Sequence, residues 1–234
     1  MKEKMIVSAA LIALSVFSLG WFIKAGIDDF ANKDRRVSVK GLAVQEVKAD
    51  KVTWPIVSKE LGNDLPSLYD RIGATQSKIK AYLIKGGIKE EEISTGAPQV
   101  ADLSAREYDT SNKVYRYIVT SVVTVTSNNV DKVRELIAKQ GDLLREGVAV
   151  VGDSYDNQVQ YEFVAFMDMK PKMMQEAIEN AEKTAQQFAE NSHSKLDKIV
   201  SADQGQFSIE NRDEYTPWIK QVRVVTTITY SLKN

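Results

Sequence analysis

The chain has no cysteine and a single histidine, His193, among its 234 residues. The absence of cysteine excludes disulfides, thiolate nucleophiles and cysteine-ligated metal sites. One histidine excludes a multi-histidine metal site, and a Ser-His-Asp triad would have to use His193. This residue follows a predicted helix in a polar stretch, where a protonated imidazole complements the helix dipole. The sequence therefore favours a capping role for His193 over catalysis.

Excess charge and nucleotide-binding motifs are also missing. The formal net charge is −1 and no run rich in lysine and arginine occurs, so the sequence shows no electrostatic footprint for nucleic acid. It contains no phosphate-binding loop, dinucleotide-binding glycine motif or nucleophile elbow. A glycosidase-type carboxylate pair would meet only in the folded chain, so the sequence leaves that reaction open. We expect no enzyme activity, no catalytic, cofactor-binding or metal-binding residues, and no cofactor.

Two acidic clusters resemble metal sites at first sight. Glu90, Glu91 and Glu92 are consecutive, but no histidine or second acidic cluster accompanies them, and we interpret them as a solvated turn. Asp153 and Asp156 lack the spacing of a calcium-binding loop, which makes a turn the simpler interpretation there too.

Four aromatic residues could line a small-molecule pocket: Trp54, Tyr69, Tyr161 and Trp218. Core packing or an oligomer interface is the more common use of such large side chains. They are therefore weak support for a binding function.

Residues 6–23 contain no charged side chain. As a helix this stretch would be about 27 Å long at ~1.5 Å per residue, close to the ~30 Å thickness of a bilayer core. The alternative is a cleaved signal peptide with a small-x-small site ending at Gly20. The sequence favours an uncleaved membrane anchor over residues 1–25, followed by a polar tether over 26–36.

Residues 37–234 alternate between strand and helix patterns. Apolar spacing of three and four predicts helices near residues 65–83, 129–144 and 170–192. β-Branched or alternating stretches predict strands near residues 37–44, 52–58, 93–100, 114–126, 147–151, 159–167, 196–200 and 218–232. The resulting order, β-β-α-β-β-α-β-β-α-β-β, favours an α+β fold with mixed, largely antiparallel sheets and long amphipathic helices.

Three local features refine this prediction. Pro171 falls in the first turn of the helix predicted at 170–192, where its missing N–H costs nothing. Gly41 suggests a kink or bulge in the first strand, and Pro55 suggests that the second strand lies at an edge or carries a bulge.

The predicted apolar stripe of the last helix comprises Met174, Ala177, Ile178, Ala181, Ala185, Phe188 and Ala189.

Residues 81–94 and 185–201 follow the same course of helix, break, aliphatic residue, charged turn, isoleucine and serine. This similarity fits a duplicated strand-helix-strand unit, and chance explains it nearly as well.

Several segments occur in a distinctive order and spacing: 37–41 (VSVKG), 49–52 (ADKV), 87–95 (GIKEEEIST), 115–120 (YRYIVT), 131–137 (DKVRELI) and 196–199 (LDKI). In this order they resemble the SIMPL domain family of bacterial envelope proteins, over nearly all of residues 37–234. Asp197 departs from the pattern, because a glycine is expected there. Trp54 and Pro55 also depart from it by interrupting the second strand.

The resemblance implies an α+β fold, export to the periplasm or outer cell surface, higher homo-oligomers and a loose link to envelope stress. The family has no established catalytic residues to carry over. We therefore expect a non-enzymatic protein anchored in the inner membrane through residues 6–23, with residues 37–234 in the periplasm or outside. Its expected partner is itself, in a homo-oligomeric scaffold or ring. The alternatives are secretion to the periplasm after signal cleavage, and a periplasmic small-molecule-binding protein or hydrolase with an unrecognised site.

Overall fold

The computed structural model describes residues 2–32, 35–105, 114–152 and 157–233, and only the backbone of residues 2–10, 12 and 28–32. The helices are α1 (Lys2–Asn32), α2 (Leu65–Lys85), α3 (Val130–Ala138), α4 (Gly141–Arg145) and α5 (Phe166–Asn191). The strands are β1 (Arg36–Lys48), β2 (Lys51–Gly62), β3 (Ile93–Thr95), β4 (Gln99–Asp102), β5 (Tyr117–Ser127), β6 (Gln160–Glu162), β7 (Lys195–Gln204), β8 (Ser208–Asn211) and β9 (Ile219–Lys233).

These strands form two sheets. One has the order β1-β9-β7, with β8 also paired to β9, and the other has the order β3-β5-β2-β6, with β4 also paired to β5. The pairings of β2 with β5 and of β7 with β9 are antiparallel. The predicted α+β class with antiparallel sheets is confirmed.

The chain divides into two compact units. Unit 1 comprises Met1–Gln45, Asp168–Ser208 and Val222–Asn234, and unit 2 comprises Glu46–Met167 and Ile209–Gln221. The single domain predicted over residues 37–234 thus contains two packing units.

In unit 1, α5 covers one face of the sheet through small side chains. Alternate residues of β9 are buried, as expected for a strand with one face against a core. Val39 of β1, Ile228 and Tyr230 of β9, and Ala181 and Ala185 of α5 form a common apolar cluster. Because alanine side chains are short, α5 can lie close to the sheet.

The buried stripe of α5 contains the four predicted alanines but not the predicted large side chains. Its buried residues recur every fourth position: Met173, Ala177, Ala181, Ala185 and Ala189. The large side chains predicted on this stripe lie off it, with Ile178 at 39% and Phe188 at 58% exposure. The spacing of three and four allowed both stripes, and the short distance between helix and sheet near Gly41 favours the stripe that carries Ala177 and Ala181.

The start of α5 also differs from the prediction. The helix begins at Phe166, so Pro171 lies inside it. The carboxylate of Asp50 accepts hydrogen bonds from the backbone nitrogens of Val164 and Ala165, both at 2.7 Å. These two residues directly precede the helix. A contact from a distant part of the chain thus holds the start of α5, which the local sequence did not indicate.

In unit 2, α2 and α3 pack on the sheet. The register of β2 and β5 runs from Val52 opposite Ser127 to Gly62 opposite Tyr117. The core combines sheet and helix residues: Val52, Trp54, Ile56, Val123, Val125, Ile79, Leu83, Val133 and Leu136. Asp64 caps α2 by accepting a hydrogen bond from the backbone nitrogen of Ser67 at 3.0 Å, as an N-cap residue should.

Two predicted strands need correction, the strand predicted at 93–100 is divided into β3 and β4, and one strand was missed. The strand expected at 147–151 is reduced to a single bridge between Val150 and Ser58. The strand expected at 159–167 ends as β6 at Glu162, because α5 takes the residues from Phe166 onward. The strand β8 was not predicted at all. Short strands depend on a neighbouring strand for their hydrogen bonds, so single-sequence patterns identify them poorly.

Pro55 lies at a local edge of its sheet, as expected, whereas Gly41 has a different role from the one expected. Pro55 pairs with Thr124 in an unbroken register although β2 lies inside its sheet. On the other side, β6 pairs only with residues 51–53 of β2, so Pro55 meets a strand on one side alone. Gly41 lies within the continuous strand β1 and provides room for α5.

The N-terminal segment forms the helix α1 through Asn32. Residues 26–32 of the predicted tether are therefore helical, because no proline or further glycine follows Gly26 to end the helix. Within the part of the chain that the structure describes, no helix is both long and apolar enough to cross a membrane. The membrane anchor at residues 6–23 stays a prediction.

Candidate functional site

A cleft of about 600 Å³ lies in unit 2, where the turns after α2 approach the start of α3. Because polar side chains dominate its lining, we call it the polar cleft. It is lined by Lys48, Ala49, Gly87, Ile88, Lys89, Glu92, Ser127, Asn128, Asn129, Val130, Asp131, Lys132 and Trp218. Its size falls within the range of about 300–1,000 Å³ that is typical of small-molecule sites.

Backbone turns and a helix cap build one side of the polar cleft. Gly87 has a φ of 91°, a conformation that favours glycine, and it turns the chain sharply after α2. Asn129 caps α3 by accepting a hydrogen bond from the backbone nitrogen of Lys132 at 3.1 Å. The backbone nitrogen of Asn129 donates to Oγ of Ser127 at 3.0 Å. Asn129 is therefore the N-cap of α3.

Glu92 fixes the opposite side. The three glutamates form a 3-10 turn at Glu90–Glu92, and the carboxylate of Glu92 accepts from the backbone nitrogen of Lys89 at 2.9 Å. A hydrogen bond from the Ser127 hydroxyl, followed by that from Lys89, lowers the pKa of Glu92. This carboxylate holds two turns together. In the described residues, no group of three histidine or acidic side chains could hold a metal ion.

Two exposed ion pairs lie at or beside the polar cleft. Lys48 lies 3.8 Å from Asp131, and Lys89 lies 3.4 Å from Glu91. All four side chains are mostly exposed, so these ion pairs contribute little stability. The lining offers ammonium groups, carboxylates and amides but no histidine. Such a surface can hold a polar ligand by hydrogen bonds and charge.

Trp218 forms an aromatic wall of the polar cleft. The guanidinium carbon of Arg134 lies 3.7 Å from the centroid of its ring, a cation–π contact. Tyr161 meets the same indole edge-to-face, with centroids 6.2 Å apart. Burial raises the pKa of Tyr161, and the charge of Arg134 opposes that rise. The arrangement fixes the indole from two sides.

The other predicted candidates lie elsewhere. Trp54 is a core residue at 3% exposure, whereas Tyr69 is 66% exposed on α2. His193 is exposed in unit 1, where it ends α5 with a φ of 53° and donates its backbone N–H to the carbonyl of Glu190 at 3.0 Å. The pair Asp153 and Asp156 lies outside the described residues.

A comparison with protein families now adds to this geometry. The family model SIMPL, described as a protein of unknown function (DUF541), matches residues 37–226. The chain belongs to the SIMPL family. No curated protein matches it. The resemblance inferred from the sequence is thereby confirmed, and the SIMPL match includes all the residues that line the polar cleft.

Sequence reasoning missed the role of Arg134 in this SIMPL domain. Arg134 lies on the polar face of an amphipathic helix, where its spacing resembles that of any solvated charge. Only the folded chain brings it over Trp218, 84 positions later in sequence (218 − 134 = 84). No local signal could have indicated this contact.

Proposed function

We propose that this SIMPL protein is a non-enzymatic component of the bacterial cell envelope that assembles with copies of itself into a scaffold or ring. The proposal includes a link to envelope stress, and the resemblance to the family is its sole support. Self-assembly is the part of the proposal that the geometry supports best, and it is the part to test first.

The observation that carries self-assembly is the exposed edge strand β7. Within the described residues, β7 ends its sheet and pairs only with β9. Eight of its ten side chains are exposed, including Ile199 at 56% and Val200 at 45%. An exposed aliphatic edge strand is a template for pairing with another chain. A second copy is therefore a suitable neighbour for this edge.

The opposite edge of the same sheet supports this proposal. There β1 pairs only with β9 in the described residues, and its outward face carries Leu42 at 44% and Val44 at 38% exposure. Two open edges on one sheet allow head-to-tail contacts, in which one protomer's β1 meets its neighbour's β7. Such heterologous contacts generate a ring when the rotation closes.

We further propose that the N-terminal segment anchors the protein in the inner membrane, with residues 37–234 in the periplasm or outside. The support is the uncharged stretch at residues 6–23. Several apolar side chains of α1, including Phe17 at 71% and Phe22 at 74%, are exposed. Alkaline carbonate extraction of membranes tests this proposal. Full-length protein should stay with the membrane and a 37–234 fragment should not, and extraction of the full-length protein would refute the anchor.

Light scattering measures the mass of the full-length protein in detergent and tests assembly. We expect a defined oligomer that Ile199→Lys converts to smaller species, because a lysine disfavours edge pairing. The matched control is Ile84→Lys, which places the same charge at a similarly exposed site (50%) on α2. The control should keep the oligomer.

A monomeric full-length protein would exclude self-assembly. An oligomer that survives Ile199→Lys would exclude the β7 edge as its interface. The 37–234 fragment separates two sources of assembly: if it is monomeric while the full-length protein is oligomeric, α1 organises the assembly.

A second candidate function is binding of a small polar molecule in the periplasm, with hydrolysis as a less supported variant. The polar cleft favours binding, because it combines charged groups, amides and the fixed indole of Trp218. A fluorescence screen of polar metabolites against Trp218 tests it. A ligand whose signal is lost in Lys132→Ala but kept in Lys172→Ala would support this function, and no signal from any compound would count against it.

A further inference from the structure

Lys220 is a buried cation near the start of β9. Buried and more exposed residues alternate along β9, and Lys220 lies at one of the buried positions. Its exposure is only 8%. Among the described residues, it is the one lysine, arginine, aspartate or glutamate in the buried class. Lysine is rarely buried without a charged partner, so its surroundings need an explanation.

The ammonium group of Lys220 lacks such a partner in the described residues. Its Nζ donates a hydrogen bond to Oδ1 of Asn211, which is a neutral amide. Glu162 influences Lys220 electrostatically, but its carboxylate is engaged 2.9 Å from Nζ of Lys51. An ammonium has three N–H donors, so two donors of Lys220 lack an acceptor in the described part of the chain. Burial lowers the pKa of Lys220, and the charge of Glu162 opposes this effect.

The hydrogen-bonded pair of Lys220 and Asn211 lies in the wall of a second cleft of unit 2, of about 360 Å³. We call it the Lys220 cleft. It is lined by Gln158, Val159, Gln160, Tyr161, Glu162, Asn211, Pro217 and Lys220. None of these residues lines the polar cleft. The Lys220 cleft thus combines one buried cation with side-chain amides, an aromatic ring and a proline.

This combination suits a singly charged acceptor. A carboxylate can accept charge-assisted hydrogen bonds from the ammonium and further bonds from the amides of Gln158 and Gln160. A phosphate dianion suits the cleft less well, because its second charge would meet the carboxylate of Glu162 without another cation in the lining. Tyr161 and Pro217 provide apolar area for the rest of a small ligand.

We propose that the Lys220 cleft binds the carboxylate group of a small organic acid. The carboxylate serves as a counter-ion for Lys220 and accepts hydrogen bonds from the other two N–H groups of its ammonium. This inference rests on neither self-assembly nor membrane anchorage, and it concerns a different cleft from the second candidate function.

Saturation-transfer NMR on the full-length protein in detergent tests this inference, with propionate as the probe. Propionamide is the neutral analogue with the same shape. We expect propionate to bind and propionamide to bind at least about tenfold more weakly, because the charge-assisted hydrogen bonds are lost. Lys220→Met should weaken propionate binding by a similar factor. Lys172→Met, at an exposed lysine of α5 that lines neither cleft, should leave it unchanged.

Two further results keep the test decisive. Methionine is apolar and similar in length to lysine, so Lys220→Met should fold, which thermal unfolding verifies. The comparison of propionate with propionamide uses the unmodified protein, so it decides the proposal even if Lys220→Met fails to fold. Equal binding of propionate and propionamide, or equal propionate binding by Lys220→Met and the unmodified protein, would overturn the proposal.

Discussion

Ser58 and Ser121 lie opposite each other in the register of β2 and β5, and both are buried, with 2% and 1% exposure. Their hydrogen bonding differs. Oγ of Ser121 accepts from Nε2 of Gln76 at 2.7 Å, whereas Oγ of Ser58 has no hydrogen-bond partner within the described chain. A buried hydroxyl without a partner costs about 1–3 kcal/mol. The two serines therefore contribute to stability with opposite signs.

The first prediction follows from this difference. Ser58→Ala should raise the free energy of unfolding by about 1 kcal/mol, because it removes an unsatisfied hydroxyl. Ser121→Ala should lower it by about 1 kcal/mol, because the amide of Gln76 loses its acceptor. Urea denaturation of both variants measures the two effects. A destabilising Ser58→Ala would show that its hydroxyl has a partner.

The second prediction concerns the contact of β1 with α5. A Cβ built on Gly41 would overlap the carbonyl oxygen of Ala177 and would lie 2.8 Å from the Cβ of Ala181. Because backbone atoms cannot rotate away, Gly41→Ala should lower the free energy of unfolding by about 2 kcal/mol or more. Thermal and urea unfolding measure this loss.

The matched control for Gly41 is Gly73 in α2, where an added Cβ would meet nothing within 4 Å. Gly73→Ala should raise the free energy of unfolding by about 1 kcal/mol, because alanine is the better helix former. If Gly41→Ala were as harmless as this control, α5 would have to lie farther from β1 than the structure places it.

The third prediction concerns Asp213, which stabilises the turn between β8 and β9. Its Oδ1 accepts from the backbone nitrogens of Tyr215 at 2.9 Å and Thr216 at 2.7 Å. The hydroxyl of Thr216 and then the guanidinium of Arg212 lower the pKa of Asp213 from 3.8 to about 2. The turn leads to Trp218 and Lys220, so this carboxylate supports both clefts.

Because the folded-state pKa of Asp213 is depressed, its contribution to stability is present above about pH 4 and is lost as the pH falls through about 2. The Tm difference between the unmodified protein and Asp213→Asn should therefore be constant above pH 4 and shrink below it. Carboxyl-carbon NMR should show Asp213 titrating near 2. Asp70→Asn, at an exposed site on α2, serves as control. A Tm difference that stays the same at every pH would contradict this role.

The fourth prediction concerns the contact between Arg134 and Trp218. Arg134→Gln should destabilise unit 2 by about 1 kcal/mol through loss of the cation–π contact, and it should shift the fluorescence of Trp218. Arg134 also lies 3.4 Å from Asp131, so a double-mutant cycle with Trp218→Leu is needed to isolate the aromatic contribution. Arg145→Gln, at an exposed arginine, is the control. A coupling energy near zero would exclude an energetic role for the contact.

Much of the fold could be predicted from local patterns. The alternation of β-branched residues predicted β5 and β9, and apolar spacing predicted α2 and α3, because each pattern extends over many residues. The prediction was less accurate where two conformations compete over a few residues. The stretch from Gln160 to Phe166 is apolar enough for a long strand, yet a contact from Asp50 begins a helix there.

The clefts were predicted less well than the fold. Tyr161 and Trp218 were named as candidates because of their size and chemistry alone. Lys220 and Arg134 resembled ordinary surface charges, since a single cation in an amphipathic segment carries no local sign of burial. Their surroundings come from residues that are distant in sequence, so one sequence could not reveal them.

The sequence by itself determined the α+β class, the absence of cysteine and multi-histidine chemistry, and membership of the SIMPL family, because composition, periodicity and segment order are properties of the chain alone. The tertiary structure decided which stripe of α5 is buried, why Gly41 is glycine, and that Lys220 is buried. Burial and close approach depend on what packs against a residue, and that is settled only when segments distant in sequence meet.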